Sequence, residues 1–287
     1  MLIKPITKPL FFVSQLFGLT YYKFHFENDI IVFTKSRFLC AYCFLFYIVN
    51  IISKYFTVTK VSAILNLHDA SAILLQEMHN AVSYIFILIV NGSFLINSQK
   101  LCGIFEKFNK FFILLQFPDN PRKISKIQTY CSYTLLISFS ITIVEDIFLF
   151  IRIHTVINIF DGFWYAITQM FQAAQFAHYV TLVYAVCILF KIINEAIVEK
   201  WELNEDRVKC LIIADDITKD IADDVGYIFS IMNAIGIFRV ALDVVILVTS
   251  YFQKLYVHSF IRASLTAFFL YEVIIVVVQS VLTVREV

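Results

Sequence analysis

Long runs of apolar residues, rather than alternating or amphipathic ones, dominate this chain. Residues 162–190 contain no Asp, Glu, Lys or Arg, and neither do residues 78–99. About 20 apolar residues suffice to cross a ~30 Å hydrocarbon core as a helix. Read this way, the sequence predicts six spans, at 37–54, 79–99, 127–145, 162–190, 229–252 and 263–283. The only prolines, Pro5, Pro9, Pro118 and Pro121, lie outside them, so no span carries a proline kink. The runs are solidly apolar, which argues against strands. The expectation is an all-α multi-pass membrane protein. Its parts are an N-terminal segment (1–36), spans 1–4 within 37–190, a charged helical loop (191–228), spans 5 and 6 within 229–283, and a tail (284–287).

Composition supports this. Apolar residues make up 60% of the chain and charged residues 16%, against about 25% charged in an ordinary soluble domain. Too few charges remain to clothe a soluble surface. The N-terminus shows no clear signal-peptide cleavage site, so the first span is expected to serve as its own insertion signal.

The basic residues set the orientation. Lys4, Lys8, Lys23, Lys35 and Arg37 precede or open the first span. With the loops after spans two and four and the tail, 17 basic residues fall on that side. Five fall on the other, and Arg239 lies within a span. The positive-inside rule then makes the N-terminus cytoplasmic. None of the six cysteines falls in a predicted outer loop, where a disulfide would be expected. Cys40 and Cys43 read as small buried hydrophobes within span one. Asn91-Gly92-Ser93 matches a glycosylation pattern but sits mid-span and is expected to be silent.

Polar residues inside the spans are the candidate functional groups. Tyr165, Thr168, Gln169, Gln172, Gln175 and Tyr179 recur at helical spacing along span four. Two readings stand: one wall of an outward-opening ligand pocket, or interhelical hydrogen bonding. His178 lies off that stripe and reads as a core or interface residue. Arg239 and Asp243 are four apart on span five, and Glu272 is at similar depth on span six. They predict a buried charge cluster: a structural clamp, a polar floor to the ligand cavity or a gating contact. The loop from Lys191 to Val225 has ten acidic and five basic residues. Ile193, Ile197, Trp201, Val208, Leu211, Ile212, Ile217 and Ile221 give it an apolar helical face to bury. No phosphate-binding glycine loop, metal-spaced histidine set or basic nucleic-acid patch occurs. No enzyme activity, cofactor, metal or nucleic-acid partner is expected.

The N-terminal run Pro9-Leu10-Phe11-Phe12-Val13-Ser14-Gln15-Leu16-Phe17-Gly18-Leu19 resembles the start of insect gustatory receptors. Leu189-Phe190-Lys191-Ile192-Ile193-Asn194-Glu195 is similar to their fourth-span end, with the basic and aromatic residues reversed. Asp220 through Ser230 resembles the lead into their fifth span, and Val278 through Glu286 the end of their sixth. The resemblance implies the seven-helix insect chemoreceptor fold with a cytoplasmic N-terminus. It implies a plasma-membrane, tastant-gated cation channel subunit, working as a homo- or hetero-tetramer anchored through the charged loop. The family's last-span signature, Thr-Tyr followed after five residues by Gln-Phe, does not occur before Val287. The expectation is therefore a chain truncated after the sixth span, without the pore helix. An odorant receptor of the same superfamily, a G-protein-coupled-type chemoreceptor and a transporter-like protein remain alternatives. The G-protein-coupled type requires an outside N-terminus, and transporters usually carry repeats or broken helices.

Overall fold

Proline-free apolar runs favour helix, and helix forms. A computed structural model describes residues 11–27, 30–64, 70–115, 159–198 and 205–252, with isolated helical positions between 129 and 143. Of the described residues, 88% are helical. The chain enters as a helical turn over residues 11–16 (α1) and reverses at Gly18. An antiparallel hairpin follows, β1 (Tyr22–Glu27) and β2 (Ile30–Lys35). The helices are α2 (Arg37–Ile64), α3 (Ala70–Ile96), α4 (Ser98–Leu115), α5 (Ile159–Val198) and α6 (Glu205–Phe252). Ser36 starts α2 as its N-cap: its Oγ accepts from the Leu39 amide at 3.4 Å, and its carbonyl accepts from Cys40 at 2.9 Å.

The hairpin corrects the expectation of helices alone. Phe24 pairs with Phe33 and Tyr22 with Lys35. Phe11 lies across both strands, 5.1 Å from the Phe24 ring and 5.0 Å from that of Phe33. The alternation of aromatic and polar residues on either side of Asn28-Asp29 favours such a pair.

Helix ends also differ from the span and loop boundaries. α5 continues from the fourth span to Val198, and α6 begins at Glu205 and runs unbroken into the fifth span. No proline interrupts either helix. α3 and α4 are almost continuous. Asn97 between them still donates its amide to the Ser93 carbonyl and accepts from Leu101.

At 1.5 Å per residue, α5 is about 60 Å long and α6 about 72 Å. Both exceed any bilayer core. Among the described residues, one stretch is long and apolar enough to cross a membrane: Ala177–Val198, 22 residues with mean hydropathy 1.9. Arg37–Ser53 is apolar but shorter. The predicted span at 263–283 lies outside the described residues, as does most of that at 127–145.

Contacts fix the helix directions. Along α3 and α4, Phe94 meets Phe229, Lys100 meets Tyr227 and Lys107 meets Asp224. One index rises as the other falls, so α6 is antiparallel to α3 and α4. On α5, Gln175 meets Asn91 of α3, and Tyr179 meets the same Phe229. This makes α5 parallel to α3. Tyr47 of α2 reaches Leu88 of α3, and α2 rises from Cys43 beside Gly18. α5 is central in the bundle. Its Ala174, Ala177, Ala185 and Ala196 are buried and allow close helix approach.

Candidate functional site

Successive residues turn by about 100° on a helix, so a central helix presents each side chain to a different neighbour. In α5 Gln175 faces α3, His178 faces the N-terminal segment and Tyr179 faces α6. Of the predicted polar stripe, these contacts place Gln175 and Tyr179 and send them to different partners. Tyr165, Gln169 and Gln172 lie on α5, but their side chains are outside the described residues, as is that of Thr168.

Gln175 and Asn91 are 1% and 3% exposed. Gln175 Nε2 donates to Asn91 Oδ1 at 3.2 Å. The pair leaves Gln175 Oε1 and Asn91 Nδ2 without a hydrogen-bond partner, and Thr181 Oγ1 is in the same condition. A buried, unmade hydrogen bond costs about 1–3 kcal/mol. One spare donor and one spare acceptor beside each other match a hydroxyl group, which is both. Three aromatic rings adjoin this layer: Phe229 lies 5.4 Å from Phe94 and 5.1 Å from Tyr179.

His178 is a core residue, 1% exposed. Its Nδ1 lies 2.7 Å from the Ala174 carbonyl, which can only accept, so the proton is assigned there. In the neutral ring, Nε2 then accepts from the Ser14 hydroxyl at 2.6 Å. This buried pair ties the N-terminal segment to α5 and is closed to any substrate.

The N-terminal segment is wedged between α2, α4 and α5. Tyr42 donates to the Leu16 carbonyl at 2.6 Å, and Cys43 donates to the Thr20 carbonyl at 3.4 Å. Thr20 and Ser98 share a hydroxyl bond of 2.8 Å. At the tip, the Leu19 amide donates to Ser14 at 2.7 Å and the Phe17 amide to Val13 at 3.0 Å. Gly18 has φ 65° there, and a Cβ would sit 3.2 Å from Phe46 and 3.4 Å from the Cys43 backbone. Only glycine takes that conformation without strain.

The other end of the bundle is charged. Lys107 of α4 is 2.7 Å from Asp224 and 3.6 Å from Asp220 of α6. Lys100 lies 3.5 Å above the Tyr227 ring. Lys219 is held above the usual lysine range, first by its hydrogen bond to Asp215. Burial pushes the Cys102 thiol from its ordinary 9.0 up to about 12, Glu106 adds to this, and Thr20 pulls the other way. Burial, then Tyr21, pushes the Tyr22 phenol up to about 12.

Arg239 and Asp243 lie one turn apart on α6, with side chains outside the described residues; Glu272 is outside them altogether. Cys43 is buried as expected, but Cys40 is exposed. Among the described residues, no group of three or more His, Cys, Asp or Glu could hold a metal ion. Sequence reasoning had passed over three contributors: Asn91, noted only as a glycosylation pattern, and Tyr47 and Asn50 of α2. Tyr47 donates to the Leu88 carbonyl at 3.2 Å and Asn50 to the Phe46 carbonyl at 2.9 Å. An isolated polar residue within an apolar run is the signal that marks them.

Neither a scan against models of protein families nor a search of curated proteins finds a match for this chain.

Proposed function

We propose that this chain is a multi-pass plasma-membrane chemoreceptor subunit of the insect gustatory type, a tastant-gated cation channel component. The observation that carries the membrane part is the inverted polarity of one bundle end. There Asn50, Asn91, Gln175, His178 and Thr181 are buried, while Phe44, Leu45, Ile52, Leu74, Met78, Ile85 and Ile89 are exposed. Lipid rewards that arrangement and water penalises it. The directions agree: α2 and α3 are antiparallel, α3 and α5 are parallel with one predicted span between them, and α6 runs back. That is the alternation six spans require.

The receptor part rests on the resemblance of the N-terminal run and the fourth- and fifth-span ends. The amide pair, with one donor and one acceptor unsatisfied, suits a small hydroxylated ligand. The charged ends of α4, α5 and α6 project beyond the bilayer and leave Ile197, Val198, Val208, Ile212 and Ile213 exposed, a surface for neighbouring subunits of a tetramer.

Two measurements test this. Epitope tags at the two termini should both be inaccessible on intact cells; an accessible N-terminus would favour the G-protein-coupled type. Calcium imaging of cells expressing the chain, alone and with partner subunits, should show tastant-evoked entry. Surface-expressed chain with no response in any combination would sink the channel reading.

A further inference from the structure

We infer that the N-terminal wedge and the start of α2 form a docking surface for anionic phospholipid in the leaflet next to the charged bundle end. This rests on the membrane reading above. Phe12 and Leu16, one turn apart on α1, both point outward and are 65% and 52% exposed. The Leu16 carbonyl is bound by Tyr42, and Phe38, one turn below Tyr42 on α2, is 78% exposed. The two helices therefore present a continuous apolar strip made from two separate parts of the chain.

Cations border that strip. Arg37 adjoins Phe38, and Lys35 lies two residues before it, its ammonium 5.2 Å from the Tyr21 ring. Tyr22 pairs with Lys35 and its carbonyl accepts from Gln15 of α1 at 2.9 Å, which brings Lys35 beside α1; Lys23, paired with Thr34, lies on the other face of the hairpin. Lys35 and Arg37 are exposed. Among the described residues no carboxylate lies within ion-pair distance of either; Glu27, at the turn end of the hairpin, is 2.8 Å from His25. An apolar strip edged by cations, at the point where the apolar α2 begins, is complementary to one amphiphile. Its acyl chain lies along Phe12, Leu16 and Phe38, and its phosphate faces Lys35 and Arg37.

The test uses the whole chain reconstituted in bilayers of equal phosphatidylcholine and phosphatidylserine. The chain is then extracted in mild detergent, and the lipid that stays bound is measured by mass spectrometry. Phosphatidylserine should be enriched over phosphatidylcholine. The K35Q/R37Q variant should lower that enrichment about tenfold, as expected for losing surface cations, with an unchanged thermal transition. F12A/L16A/F38A should lower retention of both lipids alike. Equal retention of the two lipids by the unaltered chain, or enrichment that survives the double glutamine change, overturns the proposal. A chain that alkaline carbonate strips from membranes overturns the membrane reading itself, a result separable from loss of lipid preference.

Discussion

The two ends of the bundle solve the same packing problem in opposite ways. At the charged end, Leu211, Ala214, Thr218, Ile221 and Val225 of α6 are buried at alternating steps of three and four. On α4, which packs against this part of α6, Leu101, Phe105, Phe108, Phe112 and Leu115 are buried in the same rhythm. This is a seam of the coiled-coil kind, with ion pairs on its outside. At the apolar end Asn50, Asn91, Gln175, His178 and Thr181 are buried, while Phe44, Ile52, Ile85 and Ile89 are exposed. The difference teaches that α6, and the nearly continuous α3 and α4 beside it, carry two opposite polarity patterns, with the change near Ser98 and Tyr227.

The largest test of this contrast strikes where the two regimes meet. Phe229→Ala removes a ring fully buried between Phe94 and Tyr179. It should cost about 3–5 kcal/mol of stability, read from thermal unfolding in detergent. A loss below ~1 kcal/mol would mean that the two ends are not joined through this residue.

Next come the amides. Gln175→Leu alone strands the Asn91 side chain and should cost about 1–3 kcal/mol, whereas Asn91→Leu with Gln175→Leu should recover most of it. If the double variant is stable yet its tastant responses are unchanged, the pair is interhelical adhesive and not a ligand wall.

A smaller effect is expected at Lys107, because its pair with Asp224 is partly solvated. Lys107→Glu should cost about 1 kcal/mol, and adding Asp224→Lys should restore it. No recovery in that double-mutant cycle would remove the pair from the account of the charged end.

The smallest effect is alkaline. Cys102 titrates near 9.0 when unfolded and near 12 in the fold. Between those values the unfolded chain gives up its proton first, so stability should fall as pH rises from about 9 to about 12. Cys102→Ala should flatten that part of the stability profile; an unchanged slope would assign it to tyrosines such as Tyr22.

Much of the helical architecture could be read from the apolar runs, but contact details could not. The apolar face read along 191–225 included Leu211 and Ile221, which are in the seam, but also Val208 and Ile212, which are exposed. The seam instead uses Ala214 and Thr218, which hydropathy does not flag. Thr218 is acceptable there because its hydroxyl donates to the Ala214 carbonyl at 2.8 Å. Helical spacing puts the polar stripe on one face of α5. Its described members, Gln175 and Tyr179, go to different neighbours because α5 is enclosed on several sides, and enclosure is a property of the tertiary arrangement. The hairpin was locally legible from Tyr22, Phe24, Ile31 and Phe33, but the long runs drew attention away from a short alternation.

The uninterrupted course of α6 has a mechanical consequence. A helix about 72 Å long, with no proline to act as a hinge, passes a displacement along its length. Tilting it by ~5° about one end would carry the other some 6 Å sideways. Any event that re-seats Phe229, near the middle of this helix, also moves Asp220 and Asp224, which lie within about 14 Å of it along the helix and are gripped by Lys107.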